Sequence, residues 1–451
     1  MYGFGYSLYN RTPFLGGGSG FDPAASAFIA ATGITGATQQ AAINNLVKGL
    51  KTDGIWSKMK AVYPFVTDNR NLWSYTNDVT AGNWVKGGFT VVSNSTTAPD
   101  GTTTADTLTE KTSGGNHYIS NAASAIALSN GNWTMSIYIK KIVRDWFALS
   151  LFDGTTDRTA WFNINTGVVG TVPTGATSSI SDAGNGWYRC SITMPMSASN
   201  VNYTAYYGAN ADNSISYTGN GLASYYVWGA QLELGSTATT YQPIATTQQA
   251  YIAAQFKYNL VNPVDSDAAF RLVFNGGWTH SSNGATPNGT NGYADTKCNI
   301  SNANSGHLSF YSRTNSVFTS CSMGAVSGSN NSQSALFLTY AANQTYLRIN
   351  SLGNTAPITT ANSLGYFIAN RISSTGTRNF VQSSIIAQTD ASVGVQLVNN
   401  YIGALNASGS ALSYDNKQVA FASIGDGLTD TEAANLYTRV QAYQTALSRQ
   451  V

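Results

Sequence analysis

The stretch NWTMSIYIKK, from Asn132 to Lys141, alternates apolar and polar side chains along most of its length. An alternation of period two is typical of a β-strand that buries one face and exposes the other. Four further segments between residues 146 and 234 alternate in the same way or nearly so: WFALSLFDG, TAWFNINTG, GWYRCSITMP and ASYYVWGAQLEL. Turn-forming Asp-Gly and Asn-Gly pairs punctuate the region at residues 100–101, 153–154, 185–186 and 220–221. Because no long helical pattern interrupts it, residues 68–247 are predicted to form an antiparallel β-sandwich.

A second β-rich block extends from about residue 270 towards the C-terminus. Its predicted strands are AFRLVFNGG, GHLSFYSRT, SALFLTYAA, TYLRINS, LGYFIANRI and QVAFASIG. A helix is predicted after them, because Thr429 and Glu432 have the spacing of a capping box, in which each side chain satisfies the backbone N–H of the other residue. Four apolar residues then fall on one face of that helix: Ala433, Leu436, Val440 and Leu447.

Two segments precede the first sandwich. Residues 23–66 are predicted to form a helical hairpin with two apolar stripes, interrupted at Asp53-Gly54 and ended by Pro64. The first stripe is Ile43, Leu46, Val47 and Leu50, and the second is Ile55, Met59 and Val62. Residues 1–22 are expected to be an arm that anchors the protein on a partner, with a disordered leader as the alternative. The aromatic residues of the arm are Tyr2, Phe4, Tyr6, Tyr9 and Phe14.

The composition limits the functional classes. Charged residues make up only 10% of the 451-residue chain, against roughly 25% in an average soluble domain. The formal net charge is +2 and there is no basic run, which argues against a nucleic-acid partner. No apolar run approaches the roughly 20 residues that cross a bilayer, and the first residues lack the pattern of a signal peptide. A surface built from Ser, Thr, Asn, Gln and Gly suits an extracellular or virion protein.

The first β-rich block resembles a known family of modules. The segments NLWSYTNDVTAGNWVK, TAPDGTTTADTLTE, GWYRCSITMP and WGAQLELGSTATTYQP are similar to the carbohydrate-binding-module-like domain of tailed-phage virion proteins. The matching residues are Asn71-Leu72, Trp84, the Ala98–Gly101 turn, Gly186–Arg189 and the closing Gly229–Glu233 motif.

The rest of the chain resembles a different phage domain. NGTNGYADT and AFASIGDGLTDTEAANLYTRVQAYQTAL are similar to parts of laminin-G or concanavalin A-like lectin jelly rolls in phage fibres and spikes. In such proteins a segment like GIWSKMKAVYPFV runs almost directly into one like FKYNLVNPVDSDAAFRLVF. Here residues 67–255 separate Val66 from Phe256, so we expect residues 68–247 to be inserted into a lectin-like domain formed by residues 23–66 and 251–451. The expected fold is mainly β, with two antiparallel jelly-roll sandwiches, an N-terminal helical hairpin and a C-terminal helix.

Aromatic residues are the candidates for sugar contact, because they stack on the apolar faces of pyranose rings. In the inserted domain, Trp146 and Trp161 are the better candidates for exposure, whereas Trp187 and Trp228 are predicted to lie in the core. In the lectin-like domain, the stretch FNGGWTHSSNGATPNGTNGYADT (Phe274–Thr296) contains four Asn-Gly pairs and is interpreted mainly as structural turns. Its candidate contacts are Trp278, His280, Asn291 and Tyr293. For each tryptophan of the inserted domain, core packing is favoured over sugar contact.

The sequence gives little support for catalysis or for a metal site. Glutamate occurs only at Glu110, Glu233 and Glu432, and no neighbouring pair of carboxylates suggests a glycosidase. Hydrolase and nucleotide-binding motifs are also lacking, so we do not expect an enzyme. The three cysteines are expected to be buried, with a pairing of Cys298 and Cys321 left open. The lectin resemblance implies at most a structural Ca²⁺, whose ligands the sequence does not name.

These observations lead to a functional expectation. The protein is expected to be a phage virion structural protein (a fibre, spike or capsid-attached appendage) that lies on the virion surface and binds host-cell glycans weakly and multivalently. Its arm would bind other virion proteins, and a homotrimer is expected by analogy with fibres. Nucleic-acid binding and membrane insertion are not expected. The alternatives are a purely architectural decoration protein without sugar binding and a polysaccharide-degrading spike.

Overall fold

The structure is a computed structural model, and it describes residues 20–121, 128–152, 157–197, 204–327 and 331–451. The five aromatic residues of the predicted arm lie outside these ranges. The described chain divides into two compact units. One contains residues up to Asp68 together with Ala253–Val451, and is called the discontinuous unit here; the other, Asn69–Ile252, is called the continuous unit.

Four α-helices are present in the described part of the chain: α1 Pro23–Thr32, α2 Ala37–Thr52, α3 Gln248–Phe256 and α4 Asp430–Ala446. Short 3-10 turns occur at Trp56–Lys58 and Asp267–Ala269. None of the described helices is long and apolar enough to cross a membrane.

The strands alternate with short turns throughout both units. The first strand of the discontinuous unit is β1 Met59–Tyr63. The strands of the continuous unit are β2 Trp84–Gly87, β3 Phe89–Thr96, β4 Ala105–Glu110, β5 Gly114–Asn116, β6 Tyr118–Asn121, β7 Gly131–Lys141, β8 Trp146–Phe152, β9 Asp157–Asn163, β10 Val168–Val169, β11 Thr177–Gly184, β12 Trp187–Met196, β13 Thr204–Ala209, β14 Ser216–Thr218 and β15 Ala223–Leu234. The later strands of the discontinuous unit are β16 Val273–Asn275, β17 Trp278–Ser281, β18 Gly284–Pro287, β19 Tyr293–Asp295, β20 Gly306–Ser312, β21 Met323–Val326, β22 Gln333–Ala341, β23 Gln344–Ser351, β24 Ile358–Thr359, β25 Gly365–Arg371, β26 Gly376–Val381, β27 Ser384–Thr389, β28 Tyr401–Ile402, β29 Leu405–Ala407, β30 Ser410–Leu412 and β31 Val419–Gly425.

The continuous unit is a sandwich of two six-stranded antiparallel sheets. Their strand orders are β10-β9-β8-β13-β6-β2 and β11-β12-β7-β15-β4-β3, and a small β14-β5 pair stands beside them. Alternate residues of both sheets meet in one apolar core, as the period-two pattern predicts. Met135, Ile137 and Ile139 of β7 face Phe147, Leu149 and Phe162 of the other sheet there.

The discontinuous unit contains an eight-stranded and a nine-stranded sheet. The first has the order β17-β18-β31-β20-β25-β26-β27, with β1 also paired to β31; the second has the order β16-β19-β28-β21-β22-β23-β24, with β29 and β30 attached through β21. All pairings are antiparallel except that of β21 with β29. Helices α1, α2 and α4 share an apolar cluster with the eight-stranded sheet, in which Leu46, Leu436 and Phe421 are fully or almost fully buried. The predicted fold class, mainly β with two antiparallel jelly-roll sandwiches and terminal helices, is therefore confirmed.

The N-terminal hairpin differs from the prediction in its second element. The first stripe lies on α2, and its four apolar residues are buried. The second stripe does not form a helix, because Met59 and Val62 belong to β1, which pairs with β31 so that Tyr63 lies opposite Ala422. The helix that precedes α2 and packs against it is α1, where the Asp22 side chain caps the first turn by accepting a hydrogen bond from the backbone N–H of Ala24.

Two other local predictions are confirmed. Thr429 and Glu432 form the reciprocal capping box at the start of α4. The three cysteines, Cys190, Cys298 and Cys321, are buried and free, so Cys298 and Cys321 do not pair. Burial raises the pKa of the Cys298 thiol to about 12, which makes this thiol a poor nucleophile at neutral pH.

Candidate functional site

The sheet formed by β10, β9, β8, β13, β6 and β2 turns one face away from the core of the continuous unit. On that face the strand register sets five residues in one row across the sheet. Trp161 lies opposite Ala148, Ala148 opposite Tyr207, Tyr207 opposite Tyr118, and Tyr118 opposite Gly87. Since neighbouring strands are about 4.8 Å apart, the row is on the order of 20 Å long. We call this row, together with Trp146, the aromatic face.

Small residues separate the large rings of the aromatic face. Trp146 lies on β8 two residues from Ala148 and opposite Ala209, so both tryptophans adjoin an alanine on the neighbouring strand. The rings of Tyr118 and Tyr207 are 5.8 Å apart and tilted by 56°. At the far end of the row, the backbone of Gly87 lies against the Tyr118 ring, and a Cβ added there would come within 2.2 Å of it. The face is therefore a shallow aromatic trough with small residues in its floor.

A row of polar groups lies beside the rings. Ser150 and Thr159 are cross-strand partners, and the Thr159 hydroxyl donates to the Ser150 hydroxyl over 2.9 Å. The Ser150 hydroxyl in turn donates to the carboxylate of Asp157, an exposed residue. Burial raises the pKa of Tyr207, and the negative charge of Asp157 raises it further. The exposed Asp157 carboxylate and the half-buried Thr159 hydroxyl thus lie beside the aromatic rings, whereas the Ser150 hydroxyl is buried.

The two tryptophans of the aromatic face differ in burial. Trp146 and the two tyrosines are half-buried, but Trp161 is only 9% exposed. Of the two tryptophans named as candidates for exposure, Trp161 is therefore buried. Its ring packs with Ala148, Ala209 and Trp146 in a small apolar cluster on this face. Among the described residues, the indole N–H of Trp161 is buried without a hydrogen-bond partner, which is an unfavourable state.

Trp187 and Trp228, on the opposite sheet, were predicted to be core residues, and both are buried. The indole N–H of Trp187 donates to the backbone oxygen of Thr97 over 3.2 Å. The N–H of Trp228 donates to the hydroxyl of Thr104 over 3.0 Å. Both lie in a small apolar cluster with Ala98 and Ala105, separate from the core between the sheets, and both indole N–H groups have acceptors, in contrast to Trp161.

The aromatic candidates of the discontinuous unit are brought together, but they serve mainly its packing. Trp278 donates its indole N–H to the backbone oxygens of Asn275 and Tyr293, at 3.1 and 3.3 Å. His280 is 6% exposed, stacks on Trp278, and has its pKa lowered to about 4 by burial. Tyr293 stacks on Tyr401, with ring centroids 4.6 Å apart. Trp278 and Tyr293 are nevertheless half-buried, as Trp146, Tyr118 and Tyr207 are.

The loop after Trp278 is shaped by its own asparagines. The side-chain oxygen of Asn288 accepts hydrogen bonds from the backbone N–H groups of residues 290, 291 and 292, each at 3.0 Å. Asn291 accepts from the backbone N–H of Gly277 and from the Asn288 amide. Gly289 takes a left-handed φ of 76°, as the turn interpretation of the Asn-Gly pairs requires. Asn291 is exposed, but its amide oxygen is used within the loop.

The three glutamates have structural partners. Glu110 accepts a bidentate ion pair from Arg144 at 2.8 and 2.9 Å and a hydrogen bond from Tyr217. Glu233 accepts hydrogen bonds from Gln231 and Thr239, while Glu432 caps α4. Within the described ranges, no group of three or more His, Cys, Asp or Glu residues is placed to hold a metal ion.

Tyr118 and Tyr207 are the site residues that the sequence analysis missed. Both occur in short segments, NHYISN and TAYYGA, that contain the core residues Ile119 and Tyr206. Each missed tyrosine is the immediate neighbour of a core residue, so the period of two puts it on the opposite face. The sequence therefore indicated the face on which each tyrosine lies, but it did not indicate that the strands β6 and β13 pair.

No protein-family model matches the sequence, and no curated protein sequence matches it significantly. Among solved structures, the tandem of two CBM22 domains from Paenibacillus barcinonensis Xyn10C is 11% identical, covers 81% of this chain and 98% of its own, and has a TM-score of 0.24. Domains LG4-5 of the mouse laminin α1 chain are 7% identical, cover 78% of this chain and 89% of their own, and have a TM-score of 0.22. At these low TM-scores the likeness says nothing about which ligand this chain binds.

Proposed function

We propose that the protein binds saccharides through the aromatic face of its continuous unit. The observation that carries this proposal is the in-register row from Trp161 through Tyr207 to Tyr118, with alanines between the rings and oxygen groups beside them. Half-buried rings on a sheet are held in fixed orientations, so little side-chain entropy is lost when a sugar stacks on them. The exposed Asp157 carboxylate and the half-buried Thr159 hydroxyl would accept hydrogen bonds from sugar hydroxyls.

The expected affinity is low for one copy. Each stacking contact contributes about 1 kcal/mol, so a site with two or three stacked sugar rings binds weakly. Many copies on one particle would raise the effective affinity without any new contact. Weak single sites therefore suit a protein that is present in many copies on a surface.

The test compares single substitutions on the two sheets. Tyr207→Ala removes a ring from the aromatic face, and it should weaken binding to an array-selected glycan roughly fivefold, the equivalent of about 1 kcal/mol. Tyr226→Ala is the matched control, because Tyr226 is also a half-buried tyrosine but lies with Trp228 on the opposite sheet. Equal affinity of both variants for the glycan, with both folded, would refute the proposal.

We further propose that the chain is a structural protein on the surface of a phage virion. The support is the sequence resemblance to phage modules, the low proportion of charged residues and the aromatic arm. Removing residues 1–20 should leave both units folded and prevent incorporation into particles, which is measured by comparing purified virions. Normal incorporation of the shortened chain would place the anchor elsewhere.

The homotrimer remains part of this proposal, because many phage fibres are symmetric assemblies. Light scattering at micromolar concentration, with and without Ca²⁺, should show a trimer. Two alternatives are kept. An architectural role predicts that no glycan binds, and a polysaccharide-degrading spike predicts the release of reducing ends from host polysaccharide.

A further inference from the structure

The nine-stranded sheet of the discontinuous unit has a second trough, built from residues that the sequence analysis did not single out. On the face of this sheet away from the main core, four residues lie side by side on neighbouring strands: Leu405, Gly324, Ala335 and Arg348. Gly324 and Ala335 are small and buried between Leu405 and Arg348. Leu405 and Arg348 line a cavity with a volume of about 490 Å³, within the usual range for small-molecule sites.

Aromatic rings form one wall of this trough. Phe337 and Tyr346 are direct cross-strand partners on β22 and β23. Tyr340 meets both of them edge to face, with ring centroids 5.6 Å from Phe337 and 6.0 Å from Tyr346. Phe337 is buried, whereas Tyr340 and Tyr346 are half-buried. The tyrosine rings therefore present partly accessible surfaces to the cavity.

Arg348 is the charged residue of the cavity lining. Its guanidinium carbon lies 4.7 Å from the centroid of the Tyr346 ring and 5.4 Å from that of Phe337. Nε donates to the hydroxyl of Thr355 over 3.1 Å, and one terminal nitrogen, Nη1, donates to the amide oxygen of Gln333 over 2.6 Å. Among the described residues, Nη2 has no hydrogen-bond partner. The guanidinium is thus held in place by four neighbours while part of its donor capacity is unused.

The surroundings of Arg348 leave its positive charge uncompensated within the trough. The described residues that line the cavity include no Asp or Glu. Asp390, whose charge acts on Arg348, is paired with the buried Arg371 at 3.0 Å. The remaining polar lining comes from exposed Asn354 and Ser413 and from Thr355. An anionic group with apolar and hydroxyl-bearing parts matches this set of residues.

We propose that this trough binds an acidic saccharide through a sugar carboxylate. The carboxylate would accept hydrogen bonds from the unused Nη2 of Arg348, and the apolar face of the sugar ring would stack on Tyr346. Asn354 and Ser413 would contact sugar hydroxyls. The site belongs to a different unit from the aromatic face and recognises charge, so it does not depend on that proposal. An arginine that only cross-links β22 to β23 is the structural alternative.

The test uses the full-length protein and a galacturonic acid tetramer, with its fully methyl-esterified form as the neutral probe. The free acid should bind at least tenfold more tightly than the ester, and its affinity should fall with added salt. Arg348→Gln should remove this preference. The matched control is Arg378→Gln, because Arg378 is an exposed arginine of the same unit that pairs with Asp430 on the surface.

A second variant covers the case in which Arg348→Gln does not fold. Asn354→Asp places a carboxylate in the lining at an exposed position, so it should leave the fold intact. It should weaken binding of the acid at least threefold more than it weakens binding of the ester. The proposal would be overturned by equal binding of acid and ester to the native protein, or by native affinity of a folded Asn354→Asp or Arg348→Gln variant for the acid.

Discussion

Arg449 is the residue that ties the end of the described chain to the core of the discontinuous unit. It is 1% exposed, and its guanidinium donates to the backbone oxygens of Phe65, Pro64 and Ala420 at 2.7, 3.3 and 3.2 Å. The Gln444 side chain accepts a further hydrogen bond at 3.0 Å. Burial lowers the pKa of Arg449, and these oxygens offset part of the lost hydration of its charge.

Replacing Arg449 should therefore be strongly destabilising. Arg449→Met leaves several buried oxygens without donors, and we expect the free energy of unfolding to fall by about 3 kcal/mol. Arg378→Met, which removes a half-exposed surface pair, should change it by less than about 1 kcal/mol. Urea unfolding of the two variants gives the comparison. Equal stabilities would show that the oxygens around Arg449 are satisfied by water instead.

His307 predicts a dependence of stability on pH. Its ring is fully buried, with Nδ1 2.7 Å from the backbone oxygen of Asp426 and Nε2 3.0 Å from the Ser423 hydroxyl. Burial lowers the pKa of His307 from 6.5 to about 4. The unfolded chain therefore binds a proton between pH 6.5 and 4 that the folded chain does not bind. The contribution of the neutral His307 side chain to the free energy of unfolding is therefore fully present above pH 6.5 and decreases as the pH falls towards 4.

The corresponding experiment measures unfolding of the discontinuous unit at pH 7.5 and pH 5. Because His307 becomes protonated in the unfolded chain, we expect the free energy of unfolding of the native protein to fall by about 1 to 2 kcal/mol between pH 7.5 and pH 5. The His307→Gln variant should be less stable than the native protein at pH 7.5, and its free energy of unfolding should fall less between pH 7.5 and pH 5. Identical losses in the native and variant proteins would assign the effect to other groups.

Trp161 illustrates which residue properties the sequence could give. Trp161 lies on the face of its sheet away from the core, yet it is buried there. The reason is that Trp146 and two alanines surround the ring, and these neighbours come from other strands. The face of a residue follows from the local period, but its exposure depends on strand register, which the sequence alone did not provide.

Strand β21 is sensitive to the size of a single side chain. A Cβ on Gly324 would come within 2.5 Å of the Ala335 Cβ and 2.8 Å of the Ser334 backbone oxygen, both on β22. Gly324→Ala should therefore force β21 away from β22 and lower the free energy of unfolding by about 2 kcal/mol. Gly82→Ala is the control, because nothing lies within 4 Å of a Cβ at that glycine. Thermal melting distinguishes them, and equal midpoints would mean that the strands adjust without strain.

Local signals predicted some elements well and one badly. Helix α2 and the capped start of α4 were predicted because their stripes and caps lie within one short stretch of chain. The segment with Met59 and Val62 was wrongly predicted as helix. Residues 61–66 are all buried, so β1 lacks the polar alternation that marks a strand exposed on one face. A short apolar run of this kind is compatible with either a helix or a buried strand.

The two compact units predict how the chain tolerates dissection. The continuous unit has its own core and a single stretch of chain, so residues 69–252 should express alone and melt in one cooperative transition. Joining Asp68 to Ala253 should leave a folded discontinuous unit. Circular dichroism and thermal melting of the two products check both statements. Aggregation of both would contradict the idea that one domain is inserted into the other.

The mainly β class of the whole molecule could be predicted from its alternating segments and turns. The candidate sites could be predicted only in part. Trp146 was identified from sequence, but its neighbours Tyr118 and Tyr207 come from strands distant in the chain. Arg348 was not identified at all, because an isolated arginine carries no local signal. Its role as a candidate binding residue depends on Tyr346, two residues away in the chain, and on Phe337 on the paired strand.

The pairing of β1 with β31 also sets an order of events on the ribosome. Residues 69–252 emerge as one piece and can reach their final contacts while the rest of the chain is still being made. Strand β1 and helices α1 and α2 emerge earlier, but Tyr63 must wait for Ala422. Throughout that interval their apolar surfaces lack their partners and are open to chaperones. A nascent chain halted before β31 should therefore carry a protease-resistant middle between two digestible ends.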